Sequence, residues 1–291
     1  MSLTILPLEV LHLILRSLEL GHLKALRAAG CRVLAMQVTA SPRFTTSYEF
    51  KDFRLNTLVP VGRFARVTAP PSSPAVMLKR LSLGWVLPES GDEEVDDEGI
   101  VDRLADAFCN IRAARPDAVL DELHLDAWRC CEEVREAHYM PESLLDRRPP
   151  KLEPWKPVWD ASWRTTAIVG HALERSGMSV KQLVMFGDLG RHALSIDSLS
   201  LLHQPQIVQS LETLDVKLSE PIGGRFPRGT HEGACGFLRH CQALKRLSLY
   251  WYTIFGHERA ALCRSRRIFQ AMVEEARLPG LIELRLNWGV G

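Results

Sequence analysis

The sequence carries almost no net charge and has no long apolar run. Its 36 lysine and arginine residues are matched by 35 aspartate and glutamate residues, for a net charge of +1. A balanced chain of this kind has no overall field that would draw it to nucleic acid, to anionic lipid or to an acidic substrate. No segment reaches the roughly 20 apolar residues that a membrane-spanning helix needs. We therefore expect neither a nucleic-acid partner nor a membrane.

Paired cysteine motifs are also missing. The seven cysteines form an odd, scattered set without a CxxC pair. The leucine-rich N-terminus lacks the basic start and the small-residue cleavage site of a secretory leader, and it carries Pro7, Glu9 and His12 inside its apolar stretch. Scattered cysteines without a leader are typical of reduced thiols, so we expect a cytoplasmic or nuclear protein.

Signatures of catalysis and of phosphate binding are absent as well. The sequence contains no Walker motif, GxGxxG, HExxH or GxSxG. Its richest cluster of metal-ligand types is His231, Glu232, Cys235, His240 and Cys241. A zinc site needs two tight ligand pairs, whereas this segment offers one loose group inside a helix-like stretch. We expect no metal, no other cofactor and no catalysis; a hydrolase or transferase on an unrecognised α/β fold would need convergent polar residues that we do not find.

The chain has 46% hydrophobic residues, and many of them follow one recurring pattern. An apolar residue is followed by apolar residues three and five positions later, and the positions between them are mostly polar, as in LKRLSL, LDELHL and LETLDV. Such alternation is typical of a short strand with one buried face. The seven instances are Phe50-Phe53-Leu55, Leu78-Leu81-Leu83, Leu120-Leu123-Leu125, Val180-Leu183-Met185, Leu211-Leu214-Val216, Leu244-Leu247-Leu249 and Leu281-Leu284-Leu286.

Helical spacing of apolar residues reappears between these strands. It predicts helices around residues 101–111, around residues 161–175 with Gly177 as a stop, and around residues 268–276. An acidic run at about 86–99 and a Pro- and Trp-rich stretch at about 140–160 predict inserted surface loops. Alternating strands and helices favour an α/β solenoid, with short parallel strands on the concave side and helices on the convex side.

The N-terminal segment predicts a different unit. From Leu6 to Leu34 the apolar residues follow helical spacing with one break at Gly21, which indicates two or three short helices. Their apolar surface is too large for isolated helices, so it must pack on the rest of the chain or on another protein.

This N-terminal segment resembles an F-box. The resemblance is carried by Leu6-Pro7-Leu8-Glu9-Val10-Leu11, by Ile14-Leu15 and Leu18, and by Leu23, Leu26, Arg27 and Cys31-Arg32. It implies docking onto a Skp-type adaptor within a cullin-based ubiquitin ligase. By position, the implied adaptor-binding residues are Leu6, Pro7, Ile14, Leu15, Leu18, Leu23, Leu26, Cys31 and Arg32. The alternative is that these helices only cap the end of the solenoid.

The remaining units resemble the degenerate leucine-rich repeats of fungal F-box proteins. The two resemblances together imply an F-box-like helical motif over residues 1–44 and an irregular leucine-rich-repeat domain over residues 45–291. The implied function is that of the substrate-recognition subunit of an SCF-type ubiquitin ligase, which bridges the adaptor and an unknown protein substrate. A leucine-rich-repeat interaction scaffold with no ubiquitin role is the alternative.

Four tryptophans follow the predicted strands within two or three residues: Trp85, Trp128, Trp251 and Trp288. On one rim of the repeats they would form a substrate-binding surface, because tryptophan carries much of the energy at protein interfaces. The same positions also suit core residues that cover the strand ends, and this second interpretation is the one we favour.

Overall fold

A computed structural model gives the fold of the chain. The residues that it describes are 7–29, 31–41, 44, 49–55, 58–69, 73–87, 96–129, 156–187, 194–202, 204–219, 230–253, 270, 274 and 277–290.

Helices and strands alternate after an all-helical start. The first three helices are α1 (Leu8–Ser17), α2 (Leu20–Ala28) and α3 (Arg32–Ala40). The helices described further along the chain are α4 (Leu58–Thr68), α5 (Asp97–Ala114), α6 (Lys156–Ser176), α7 (Pro205–Val208) and α8 (Thr230–His240), with 3₁₀ helices at Pro74–Met77 and Ile196–Leu202. Among these described helices, none combines the length and the apolar character needed to span a bilayer.

The strands form one main sheet and one small one. They are β1 (Phe50–Arg54), β2 (Arg80–Leu87), β3 (Val119–Leu120), β4 (Glu122–Arg129), β5 (Ser179–Val180), β6 (Gln182–Met185), β7 (Leu194–Ser195), β8 (Thr213–Ser219), β9 (Arg246–Thr253) and β10 (Glu283–Val290). The main sheet has the order β1-β2-β4-β6-β8-β9-β10, with β7 beside β8, and β3 pairs with β5. Every pairing between the described strands is parallel. The predicted α/β class with a parallel sheet is therefore confirmed, and the described strands form no closed barrel.

The alternating pattern of each strand decides which face of the sheet is buried. Leu81, Leu83 and Trp85 of β2 are buried, and the parallel register sets Leu81 beside Leu123 of β4. The apolar faces of α4, α5 and α6 belong to the same core as these strand residues. Most polar residues of the strands project from the other face of the sheet, and these helices leave that face uncovered.

The first strand pairs two residues away from the alignment of the repeat units. Phe53 lies opposite Leu83, whereas the repeat pattern placed Leu55 there. A shift of two residues keeps every side chain on its original face, because the side-chain period of a strand is two. Phe53 then packs on Phe64 of α4, with ring centroids 4.8 Å apart, and Leu55 is fully buried just after the strand.

Two of the three predicted connecting helices are confirmed. Helix α5 covers the predicted residues 101–111 and ends before Pro116. Helix α6 ends at Ser176, and Gly177 has a φ of 63°, a left-handed conformation that glycine adopts without strain. The helix predicted around residues 268–276 lies outside the described residues apart from Gln270 and Glu274.

Both predicted inserted loops are shorter than expected, because neighbouring strands and helices extend into them. Strand β2 continues to Leu87 and helix α5 begins at Asp97, so the ends of the predicted 86–99 loop belong to regular structure. Asp96 caps α5 by accepting a hydrogen bond from the Gly99 N–H at 2.9 Å, as short polar side chains do at helix starts. Helix α6 begins at Lys156. Residues 88–95 and 140–155 lie outside the described residues.

Candidate functional site

Helices α1, α2 and α3 have a small apolar core of their own, separate from the core beneath the sheet. Its buried residues are Leu11, Leu15, Leu23, Leu34, Val38 and Phe44, and Leu18, Leu26 and Cys31 pack against them. His12 Nε2 lies 3.0 Å from Gln37 Oε1 and links α1 to α3. The guanidinium of Arg27 lies 5.5 Å from the centre of the Phe44 ring, a cation–π contact that ties α2 to this core. The three helices thus form one packed cluster.

The break between the first two helices differs from its predicted place. Leu18 and Glu19 separate α1 from α2, and Gly21 lies inside α2. A glycine is tolerated within a helix at a cost of about 1 kcal/mol relative to alanine, so its presence alone does not end the helix.

The residues implied as adaptor-binding occupy three kinds of position. Leu15 and Leu23 are fully buried inside the helix cluster, so they hold the helices together. Pro7 is exposed. Four more are partly exposed at the border of the cluster's core, namely Ile14, Leu18, Leu26 and Cys31. Leu6 and the side chain of Arg32 lie outside the described part of the chain.

Other large apolar residues of the cluster face solvent. Val10 and Leu13 are exposed on α1, and Val33 and Met36 are exposed on α3. Each pair has the i, i+3 spacing that places two side chains on one helix face. Leu13, Val33 and Met36 are not among the residues implied as adaptor-binding, although helical spacing sets Leu13 opposite Leu15 and Met36 opposite Leu34. Among the described side chains of the cluster, they are large apolar residues that a partner can reach.

The helix cluster lies beside the first strand of the sheet. Burial lowers the pKa of Lys51 in β1, and the charge of Lys24 in α2 lowers it further. Lys51 pairs with Leu81 in the register of the sheet, so a half-buried ammonium stands where the next strand has a core leucine. The cluster and the sheet are therefore neighbours with different cores.

The polar face of the sheet is the second candidate surface. One row across it consists of Asp52, Ser82, His124, Val184, Asp215, Ser248 and Arg285. A cavity of about 380 Å³ opens on this face between β1 and β6, and Arg80, Glu122, His124 and Asp126 are among its lining residues. His124 Nε2 lies 2.5 Å from Glu122 Oε1, which fixes the imidazole on the strand. The face therefore carries both signs of charge at defined positions.

Asp215 is the electrostatically unusual residue of this face. Its Oδ1 is buried without a hydrogen-bond partner. Burial raises the pKa of Asp215, and the positive charges of Lys217, Arg285 and His124 oppose this shift. A carboxylate in this position favours a ligand group that donates a hydrogen bond to it.

Comparison with known proteins does not assign a family. No protein-family model matches this chain, and no curated protein matches it.

Of the four tryptophans predicted at strand ends, the two whose side chains the structure describes do not form an exposed rim. Trp85 and Trp251 are 4% and 1% exposed, and the guanidinium of Arg164 in α6 lies 4.8 Å from the centre of the Trp85 ring. Both are core residues, as the favoured interpretation expected. The side chains of Trp128 and Trp288 lie outside the described residues.

The cysteine- and histidine-containing segment spans helix α8. Cys235 and Cys241 are buried and His240 is exposed, while the side chains of His231 and Glu232 lie outside the described residues. Burial raises the pKa of Cys241 to about 12, so its thiol stays protonated at neutral pH. Within the described part of the chain, no group of three or more potential metal ligands comes together.

Proposed function

We propose that this protein is a non-catalytic recognition subunit of a cullin-type ubiquitin ligase, in which the N-terminal helices bind a Skp-type adaptor and the sheet binds a protein substrate. The observation that carries the proposal is the helix cluster. It has its own core, and it leaves Val10, Leu13, Val33 and Met36 exposed on two helices that His12 and Gln37 join.

Exposed apolar side chains on a packed helix cluster favour a helical protein partner. Burying a side chain of this size stabilises a complex by about 1.5–3 kcal/mol before ordering costs. A solitary exposed residue needs no explanation, but four of them on adjacent helices are typical of an interaction site. The proposed adaptor contact therefore uses the outer residues of α1 and α3, whereas Leu15 and Leu23 support it from within.

The polar face of the sheet is the proposed substrate surface. Its rows of acidic and basic side chains are set by strand register, so a bound protein meets a fixed pattern of charge. Charge patterns of this kind give specificity and fast association more than raw affinity. The chain would act by raising the effective concentration of substrate near the transfer machinery, and other subunits would transfer ubiquitin.

The test measures adaptor binding by variants at residues of equal solvent exposure. The double variant Leu13→Asp, Met36→Asp places charges on the outer face of the helix cluster. The control is Val59→Asp in α4, because Val59 is 66% exposed and Leu13 is 65% exposed. Binding of each purified chain to a purified Skp-type adaptor is measured by calorimetry, with circular dichroism to confirm the fold.

We expect wild type and Val59→Asp to bind with equal affinity and the double variant to lose binding by at least about 100-fold, since two buried apolar contacts are replaced by desolvated charges. If folded wild-type protein does not bind the adaptor, the ligase proposal is wrong. The interaction scaffold with no ubiquitin role then takes its place, because the charged face of the sheet exists independently of the helix cluster.

A further inference from the structure

The centre of the polar face is uncharged and has carboxylates on both sides. Strand β6 presents Gln182 and Val184 to this face, because its burial alternates from residue to residue. In the register of the sheet, Val184 lies between His124 of β4 and Asp215 of β8. Glu122 lies two residues before His124 and therefore on the same face of β4. A group that rests over Val184 thus has acidic residues on both flanking strands.

Asp215 brings a hydrogen-bond acceptor that lacks a donor. Its Oδ1 is buried, and among the described residues no group donates a hydrogen bond to it. Burial raises the pKa of Asp215 although nearby positive charges oppose the shift. Two of these charges have other contacts: the Lys217 ammonium lies 5.9 Å from the centre of the Tyr250 ring. The Arg285 guanidinium lies 2.6 Å from the Glu283 carboxylate. A donor supplied by a ligand would therefore stabilise the Asp215 carboxylate.

The cavity on the polar face reaches this centre. Its lining includes Val184, Glu122 and Asp126. Asp126 is 7% exposed, and its Oδ1 accepts a hydrogen bond from the Ala127 N–H at 2.8 Å. Beside Asp126 in the register stands Gly84 of β2, and a glycine inside a strand often marks a place where a ligand approaches closely. The cavity thus gives a ligand access to a buried carboxylate of β4.

We propose that the polar face binds an arginine of the substrate protein, whose guanidinium enters the cavity and lies over Val184 between Asp126 of β4 and Asp215 of β8. The guanidinium donates to the Oδ1 of Asp215 on one side and to the Asp126 carboxylate on the other. Glu122, which His124 contacts at 2.5 Å, adds negative charge. The inference rests on the proposed use of this face for substrate, and it names the group that the face recognises.

A guanidinium suits this place better than an ammonium. The backbones of β4 and β8 are two strand spacings apart, about 10 Å, with β6 between them. An arginine presents five N–H donors along the edges of a plane, whereas a lysine ammonium is a compact point charge. One guanidinium can therefore donate to carboxylates on both strands at once, and such charge-assisted bonds are strong.

The test uses the full chain and three capped tripeptides that differ only in the central residue. They are acetyl-Gly-Arg-Gly-amide, the same peptide with citrulline, which replaces the guanidinium by a neutral urea of similar shape, and the same peptide with lysine. Binding is followed by NMR through the backbone amide signals of Val184 and Gly187. We expect the arginine peptide to bind with a dissociation constant on the order of 1 mM, the lysine peptide at least about threefold more weakly, and the citrulline peptide at least about tenfold more weakly.

Variants of similar shape test the two carboxylates. Asp215→Asn and Asp126→Asn each remove one negative charge and should weaken binding of the arginine peptide by at least about fivefold. The control is Asp106→Asn, because Asp106 is exposed on α5 and α5 packs on the other face of the sheet; this variant should bind as wild type does. Thermal melting confirms each fold. Asp215→Asn removes a charge that burial disfavours, so its result decides the test even if Asp126→Asn does not fold.

Four outcomes would overturn the inference. Wild type could show no saturable signal change with the arginine peptide up to about 20 mM, the citrulline or the lysine peptide could bind as tightly as the arginine peptide, or Asp215→Asn could bind as well as wild type. None of these measurements contains the adaptor. Failure here therefore leaves the test of adaptor binding unaffected, and a chain that does not bind the adaptor can still bind the arginine peptide.

Discussion

The ammonium of Lys245 lies 2.8 Å from the carboxylate of Glu212, and both residues occupy the position immediately before a strand. The same position carries paired residues elsewhere in the sheet, with Glu49–Lys79 at 2.8 Å and Asp121–Lys181 at 3.1 Å. Acid and base thus alternate along one end of the sheet from β1 to β9. Exposed pairs of this kind contribute little to stability, but an arrangement that set like charges side by side would be less favourable than the observed alternation.

The Glu212–Lys245 pair predicts a measurable titration shift. The hydrogen bond and charge of Lys245 lower the pKa of Glu212, with smaller contributions from Lys181 and Arg246. Because the folded pKa is lowered, the stabilisation is present above the unfolded value of 4.5 and is lost as the pH falls through the folded pKa. We expect Lys245→Ala to move the pKa of Glu212 upward in a carboxyl NMR titration. An unchanged pKa would contradict the pairing.

Gly170 in α6 should not tolerate a side chain. A Cβ at this position would lie 2.6 Å from the carbonyl oxygen of Leu201, which belongs to the 3₁₀ helix packed on α6. We expect Gly170→Ala to reduce the free energy of unfolding by about 1–3 kcal/mol through overpacking. Gly62→Ala in α4 is the control, because a Cβ there meets nothing within 4 Å and should stabilise the helix by about 0.5–1 kcal/mol. Urea unfolding of both variants measures the difference, and equal effects would argue against the close contact.

Asp215→Asn should stabilise the protein at neutral pH. Burial raises the pKa of Asp215 above 3.8, so its charged form is less favourable in the folded state than in the unfolded chain. This cost is present above the folded pKa and disappears as the pH falls toward the unfolded pKa. We expect Tm of Asp215→Asn to exceed that of wild type at pH 7, with the difference narrowing in acid. The control is Asp52→Asn. Asp52 lies in the same row of the polar face as Asp215 but is exposed, so its replacement should leave Tm nearly unchanged at pH 7 and in acid.

Cys241 and Cys109 should differ strongly in alkylation rate. Cys241 is buried, its Sγ donates to the Phe237 carbonyl at 3.3 Å, and burial raises its pKa to about 12. Cys109 in α5 is exposed. Because the thiolate is the reactive form, iodoacetamide at pH 8 should modify Cys109 at least about 100-fold faster, as followed by peptide mass spectrometry. In denaturant the two rates should converge, and convergence in the native state would contradict the burial of Cys241.

Regular spacing made much of the sheet predictable. Every predicted apolar unit lies at a described strand, because a period of two leaves only one way to bury leucines on a covered face. The register of β1 could not be predicted from the repeat units. Aligning Phe50-Phe53-Leu55 with Leu78-Leu81-Leu83 sets Leu55, rather than Phe53, opposite Leu83. Pairing with β2 fixes Phe53 opposite Leu83, and no local signal encodes that choice.

Candidate sites were harder to predict than strands. Resemblance singled out Leu15 and Leu23, yet both are buried in the helix cluster, and the exposed apolar residues include Leu13 and Met36. A list of apolar positions does not say which side of a helix meets its neighbours. That depends on how α1 and α3 lie against each other, and the contact between His12 and Gln37 records this arrangement.

The sequence by itself determined that apolar and polar residues alternate along strands and that helices separate those strands. These are local periodicities, and they follow directly from the side-chain periods of strands and helices. Only the tertiary structure decided that Glu212 meets Lys245 and that the Oδ1 of Asp215 is buried without a hydrogen-bond partner. Each of these depends on which strand lies beside which, and residues far apart in the chain become neighbours only when the shared core fixes strand order and register.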